Sequence, residues 1–137
     1  MILSDVMGML DDTLNPAGTA ANRRVSILPI DSKFREEDYA SVGVGFSMEA
    51  GDSVMGGVQR FFDGSFTISI FAPGALTTDE VATRIRGMLN RFAGPLANGR
   101  YHVLNMLSSS EDHGIDHDTK LSFVVQTYDA EWADRGN

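Results

Sequence analysis

Chemistry in this chain would begin at its histidines. His113 and His117 stand four residues apart in "EDHGIDHD", flanked by Asp112, Asp116 and Asp118. On a helix that spacing puts both imidazoles on one face, where a third ligand completes a divalent-metal site. Here Gly114 falls between them, the surroundings read as a hairpin tip, and no third ligand is adjacent. The segment Glu111 to Asp118 therefore reads as a solvated acidic loop, with metal binding as the alternative. His102, between Tyr101 and Val103, sits mid-strand without a partner motif and reads as a surface or interface histidine rather than a general base. No serine stands in a G-x-S-x-G elbow, and the glycines of "GVGFSMEAG" match neither a dinucleotide nor a phosphate loop. The absence of cysteine excludes thiol catalysis, disulfides and thiolate metal sites. The contiguous pairs Asp11-Asp12 and Glu36-Glu37 read as solvating charge. This is the inventory of a protein that is not an enzyme and needs no cofactor and no metal.

The elements that would position these residues belong to an ordinary globular chain. With 137 residues, 42% apolar and 22% charged, it is long enough for one domain over 1–137 with a core of its own. A net charge of −8 argues against gripping nucleic acid, which needs a basic stripe. It does not argue against a protein that DNA passes without sticking. Arg23-Arg24 and Arg84-Arg86-Arg91 are the basic clusters; they read either as partners for acid on another subunit or as a solvated helix face. The opening "MILSDVMGML" is apolar but lacks a basic flank and soon meets Asp5, Asp11 and Asp12. It reads as neither a signal peptide nor a membrane span, and a cytoplasmic product is expected.

Apolar residues at helical intervals predict a first helix over Ile2 to Leu14, ended by Asn15-Pro16. "RRVSILPI" predicts a strand, with Pro29 at its edge or end, and "DSKFREED" a charged loop. "YASVGVGFSM" alternates Ala40, Val42, Val44, Phe46 and Met48 against a nearly bare second face, which is a strand. "EAGDSVMGGVQRFFDG" reads as a flexible loop entering a strand near Val58, with a bulge or turn at Asp63-Gly64. "SFTISIFAP" is a strand with Phe66, Ile68 and Ile70 on one face. A helix follows, with a capping box between Thr77 and Glu80, an apolar stripe of Val81, Ile85, Met88, Leu89 and Phe92, and a stop at Gly94-Pro95. "GRYHVLNMLSSS" and "TKLSFVVQTYDAEW" predict a final antiparallel hairpin around the acidic loop. The expected fold is α+β: a mostly antiparallel sheet of about five strands with two helices packed on one face.

The stretch "GSFTISIFAPGALTTDEVATRIRGMLNRF", Gly64 to Phe92, carries a resemblance. A strand ending in aromatic-Ala-Pro-x-Gly and leading into a striped helix resembles the tail terminator (tail completion) proteins of long-tailed bacteriophages. Gly64, Phe66, Ile68, Ile70, Phe71, Ala72, Pro73 and Gly74 match the strand, and Val81, Ile85, Leu89 and Phe92 match the stripe. Arg23 to Phe92 carry the likeness, and the ends agree in element order. Where that family commonly has a W-P-N strand, this chain has "NPAGTAAN".

The resemblance implies a homo-oligomeric ring, typically hexameric, in the tail or neck of a virion and assembled in the host cytoplasm. Such a ring caps the finished tail tube, stops its polymerisation and offers a face to the head connector or stopper protein. Its partners are the tail tube protein and that connector; DNA passes through without specific binding, and no cofactor or membrane is involved. On this reading the assembly surface is expected at Arg23, Arg24, Arg84, Asp112, Asp116 and Asp118. Another neck or head–tail joining protein is the neighbouring reading. A small metal- or ligand-binding domain using residues 111–118 with His102 is the reading from a different class.

Overall fold

The computed structural model describes residues 2–15, 24–27, 41–55, 59–96, 99–118 and 120–135. Their order is α1 (Ile2–Leu14), β1 (Arg24–Ile27), β2 (Ser41–Met55), β3 (Gln59–Ala72), α2 (Ala75–Leu89), β4 (Gly94–Pro95), β5 (Tyr101–Ile115) and β6 (Ser122–Asp134). The strands form one sheet in the order β1-β2-β3-β6-β5-β4. Every pairing is antiparallel except that of the short edge strand β1, which runs parallel to β2. The α+β class is as expected. The sixth strand is the two-residue β4, formed by the Gly94-Pro95 pair expected only to stop a helix.

Strand alternation explains the core. Val42 and Val44 on β2, Phe66, Ile68 and Ile70 on β3, and Val124, Tyr128 and Trp132 on β6 point to the same side. The helices cover that side. α1 buries Ile2, Leu3, Val6, Leu10 and Leu14, and α2 buries Val81, Ala82, Ile85 and Leu89, all in one cluster with the sheet residues. Thr13 on α1 donates to the Met88 sulfur on α2 at 2.9 Å, so the helices also touch each other. The predicted stripe is therefore the buried face, with Met88 and Phe92 at its half-buried margin.

Both ends of α2 differ from expectation. The helix begins at Ala75, so Thr77 lies within the first turn and cannot be the cap. Gly74 is the N-cap, with no side-chain bond, and its carbonyl accepts from the N–H groups of Thr77 and Thr78, each at 3.2 Å. Glu80 reaches forward to Arg84 at 3.6 Å rather than back to Thr77. At the other end Arg91 enters the left-handed region at φ 67°. That turn carries its N–H to the Met106 carbonyl at 2.6 Å, and the Asn90 side chain accepts from the Ser108 N–H at 3.0 Å. The helix terminus thereby occupies backbone groups on the outer edge of β5.

The two expected loops are strand over most of their length. β2 runs on to Met55, so 49–55 lie in the sheet; Gly56 and Gly57 are outside the described residues. Asp63 and Gly64 lie within β3, and the irregularity falls opposite them, at a bulge between Met48 and Ala50. Gly64 is required there for space: a β-carbon would stand 2.8 Å from the Ser47 carbonyl and from the Trp132 ring. That indole anchors an aromatic group with Phe46, Phe62 and Phe66, ring centres 5.0–6.4 Å apart. Likewise β5 continues through Glu111, Asp112, His113, Gly114 and Ile115. The strand Pro29 and the charged segment 31–38 lie outside the described residues.

Candidate functional site

Three surfaces bear on function, and the first is a polar junction where α2 crosses β5 and β6. The antiparallel register of β5 and β6 sets Glu111 opposite Gln126 and His113 opposite Val124. Gln126, with none of its surface exposed, cannot leave its amide unpaired. Its nitrogen donates to the Ala82 carbonyl at 3.0 Å and to Glu111 Oε1 at 2.7 Å, and its oxygen accepts from the Tyr128 hydroxyl at 2.9 Å. Arg86 donates to the same Glu111 oxygen from α2. His113 completes the group, with Nε2 2.9 Å from Glu111 Oε2 and Nδ1 3.4 Å from Asp79 Oδ1.

The electrostatics follow from these contacts. Burial works against the Glu111 carboxylate, but hydrogen bonds from Arg86, Gln126 and His113 outweigh it and hold the carboxyl at about 2. The bond to Glu111 raises Arg86, and burial raises Tyr128. Every polar group of this junction already has a partner within the fold. The arrangement fastens the distal half of β5 and β6 to the helix and leaves no poised base or nucleophile.

Sequence reading missed this junction. Its signal was Gln126, a polar residue occupying a core position in the alternation Val124, Gln126, Tyr128. Such a residue implies a buried partner on a neighbouring element.

The second surface is the tip of the β5–β6 hairpin. It is short: Asp116 N–H donates to the Leu121 carbonyl at 2.8 Å, Lys120 N–H to the Asp116 carbonyl at 2.8 Å, and Lys120 takes φ 63°. Asp116 Oδ1 accepts from the Asp118 N–H at 2.9 Å, so these two predicted residues share the turn. Asp112 stands apart from them, exposed on the strand's open face. His113 points to α2 and His117 sits in the turn, so the pair does not form the helical face a metal would need. Among the described residues no group of three or more His, Cys, Asp or Glu is placed to hold a metal ion. His102 lies beside β4 with Arg135 3.4 Å from its Nδ1. Arg84 is exposed on α2, paired with Glu80 at 3.6 Å. Arg24 lies on β1, its side chain outside the described ones, and Arg23 is outside the described residues.

The third surface is the sheet face away from the helices. Phe123 lies over Gly114 and meets Phe71 with ring centres 6.1 Å apart. Further along, Asp63 faces Glu131 directly across β3 and β6, and Asp129 and Leu107 face each other across β6 and β5. A bulge between Val103 and Asn105 turns Leu104 outward, and Leu104 and Leu107 are 45% and 44% exposed. No described helix is long and apolar enough to cross a membrane.

No family model matches this chain, and no curated protein does. Among solved structures, the chain is similar in fold to a chain from the virion of a native gene transfer agent particle, with TM-score 0.58, 15% identity, and 93% of this chain and 84% of that chain covered.

Proposed function

We propose that this chain is a structural protein of a phage-type virion, a single domain that acts through its surfaces and carries out no catalysis. In the finer form of this reading it is the tail terminator. Copies join in a ring, hexameric by analogy with the family resembled, that caps the finished tail tube and halts its growth. One side meets the tail tube protein and the other the head connector or stopper, and DNA passes through the centre. The observation that carries the reading is the fold shared with a virion chain along most of both chains. It agrees with the separate resemblance of the Gly64–Phe92 stretch to tail terminators. The chemical inventory is in keeping, since the polar junction is spent on fastening a hairpin.

In this function the acidic hairpin tip, Asp116 and Asp118, and Asp112 on the strand leading to it border the channel. Duplex DNA carries about one negative charge per 1.7 Å of axis, so acid at the rim keeps passage free of sticking. The cations Arg23, Arg24 and Arg84 serve contacts between subunits. The test is sedimentation of purified protein alone and with tail tubes. A hexamer in solution, or a hexameric cap on tube ends, is the expected result; a protein that stays monomeric and ignores tubes sinks the reading. Replacing the three aspartates with lysine should leave folding intact and reduce infectious particles. Normal titres would remove the tip from the DNA path, and tight duplex binding by the unmodified protein would overturn the channel role.

A further inference from the structure

The open sheet face has an electrostatic cost that the fold itself does not relieve. Asp63 and Glu131 are direct cross-strand partners, and like charges so placed destabilise a sheet. Asp129 is two residues along the same face, opposite Ser65 and Leu107. No cation among the described residues pairs with any of the three, and no position of β3, β6 or β5 on this face is Lys or Arg; Arg24, on the edge strand β1 beside Ser41, is the one such strand position on that side. Two adjoining depressions, of about 290 and 280 Å³, share Asp63 and Glu131 as walls. Leu104 lines one and Leu107 the other. Nearly half of each leucine is in water, although the opposite face of the sheet buries its apolar side chains almost completely.

We propose that this face is a docking site for an extended, basic segment of another polypeptide. Its Lys or Arg side chains would settle between Asp63 and Glu131, and its apolar side chains against Leu104 and Leu107. Charge complementarity selects this occupant. Two copies meeting through this same face would set carboxylate against carboxylate and are repelled. A cationic side chain instead neutralises two carboxylates at once, and the leucines add the apolar contact that fixes its register. The inference stands independently of the virion reading, since any partner of this chemistry satisfies it.

The probe is the peptide acetyl-Arg-Leu-Ser-Leu-Arg-amide, titrated into isotope-labelled protein at low salt, with the glutamate-for-arginine peptide as control. Amide shifts should cluster at Asp63, Asn105, Leu107, Asp129 and Glu131 for the basic peptide alone. Affinity should fall about tenfold when salt rises well above physiological strength. The variant Asp63→Asn with Glu131→Gln should lose at least tenfold in affinity, yet melt no lower than the unmodified protein, because a like-charge pair has been removed. A melt that drops instead would show that the carboxylates serve the fold and overturn the proposal. Equal binding of both peptides, shifts elsewhere, or no binding would overturn it too. So would a concentration-dependent dimer that this variant abolishes, which would hand the face to a second copy.

Discussion

Glu111 and Gln126 stand opposite each other on β5 and β6, and the Gln126 amide divides its hydrogens between the Glu111 carboxylate at 2.7 Å and the Ala82 carbonyl at 3.0 Å. One side-chain pair thereby joins two strands and a helix. The carboxylate's charged form is what makes the junction hold. Glu111 titrates at about 2 in the folded chain against 4.5 as an ordinary carboxyl. Its depressed value means that the unfolded chain takes up the proton first on acidification. The stabilisation is complete above 4.5 and is lost as pH falls toward 2. Denaturant midpoints should therefore drop across that window, and Glu111→Gln should flatten this part of the profile while lowering stability at neutral pH. A variant with the same acid profile as the unmodified protein would locate the acid sensitivity elsewhere.

Gln126→Leu removes the centre of the junction and leaves the Tyr128 hydroxyl, the Ala82 carbonyl and part of Glu111 without their partner. A cost of about 1–3 kcal/mol is expected, the range for unpaired buried polar groups. Urea titration measures it. A neutral or stabilising result would mean that water enters the junction readily.

The two sides of α2 separate cleanly. Ile85 is fully buried, and Ile85→Ala should cost about 2–5 kcal/mol, as other large-to-small core changes do. Thr77 is exposed within the first turn and caps nothing, so Thr77→Ala should stay within about 0.5 kcal/mol. A clear loss at Thr77 would return the helix start to the capping-box position.

Gly64 and Gly114 are both crowded, but by different neighbours. At Gly64 a β-carbon meets the fixed Ser47 carbonyl and the buried Trp132 ring, each at 2.8 Å. Gly64→Ala should cost about 1–3 kcal/mol through overpacking. At Gly114 its three nearest neighbours are all atoms of the Phe123 ring, the first at 2.6 Å, on a half-buried surface where the ring can swing aside. Gly114→Ala should cost less than Gly64→Ala. Phe123→Leu should relieve part of it, giving a non-additive double variant by thermal melts. Additive losses would show that Phe123 does not rest on Gly114.

Hydrogen exchange will separate strand from turn at the hairpin. Amides of β5 and β6 that point at one another between Glu111 and Val125 should be protected, while those of Asp118 and Lys120, hydrogen-bonded only within the exposed turn, should exchange much faster. Uniform fast exchange from Glu111 onward would restore the loop expected from composition.

That last contrast shows where sequence was legible. α1 and the Val81–Ile85–Leu89 stripe were readable because their apolar spacing faces a single apolar core. The same holds for the alternation of Phe66, Ile68 and Ile70. The distal half of β5 was not, because the helix face it touches is polar there: Glu111 and His113 meet Arg86 and Asp79. A strand that sets partly exposed polar groups against a polar helix face shows no hydrophobic alternation and looks like a solvated loop. Polar, glycine-bearing residues likewise concealed the far end of β2. Gly94-Pro95 signalled a break correctly, yet the helix ends at Leu89 because Arg91 turns its backbone to Met106. Of the expected surface residues, Asp116 and Asp118 were placed together by sequence proximity. The Glu111–Gln126 pairing joins elements separated by a turn and could be suspected only from Gln126.

The strand order has a temporal consequence during synthesis. β3 lies at the middle of the sheet, but its second neighbour is β6, and α2, β4 and β5 are all made between them. While the ribosome is producing those elements, β3 presents Phe66, Ile68 and Ile70 beside an unfilled edge, and neither helix has a complete sheet to lie on. Nascent chains interrupted before β6 should be clients for chaperones rather than partly native molecules. Such a topology, dominated by distant pairings, is expected to fold slowly and to commit late.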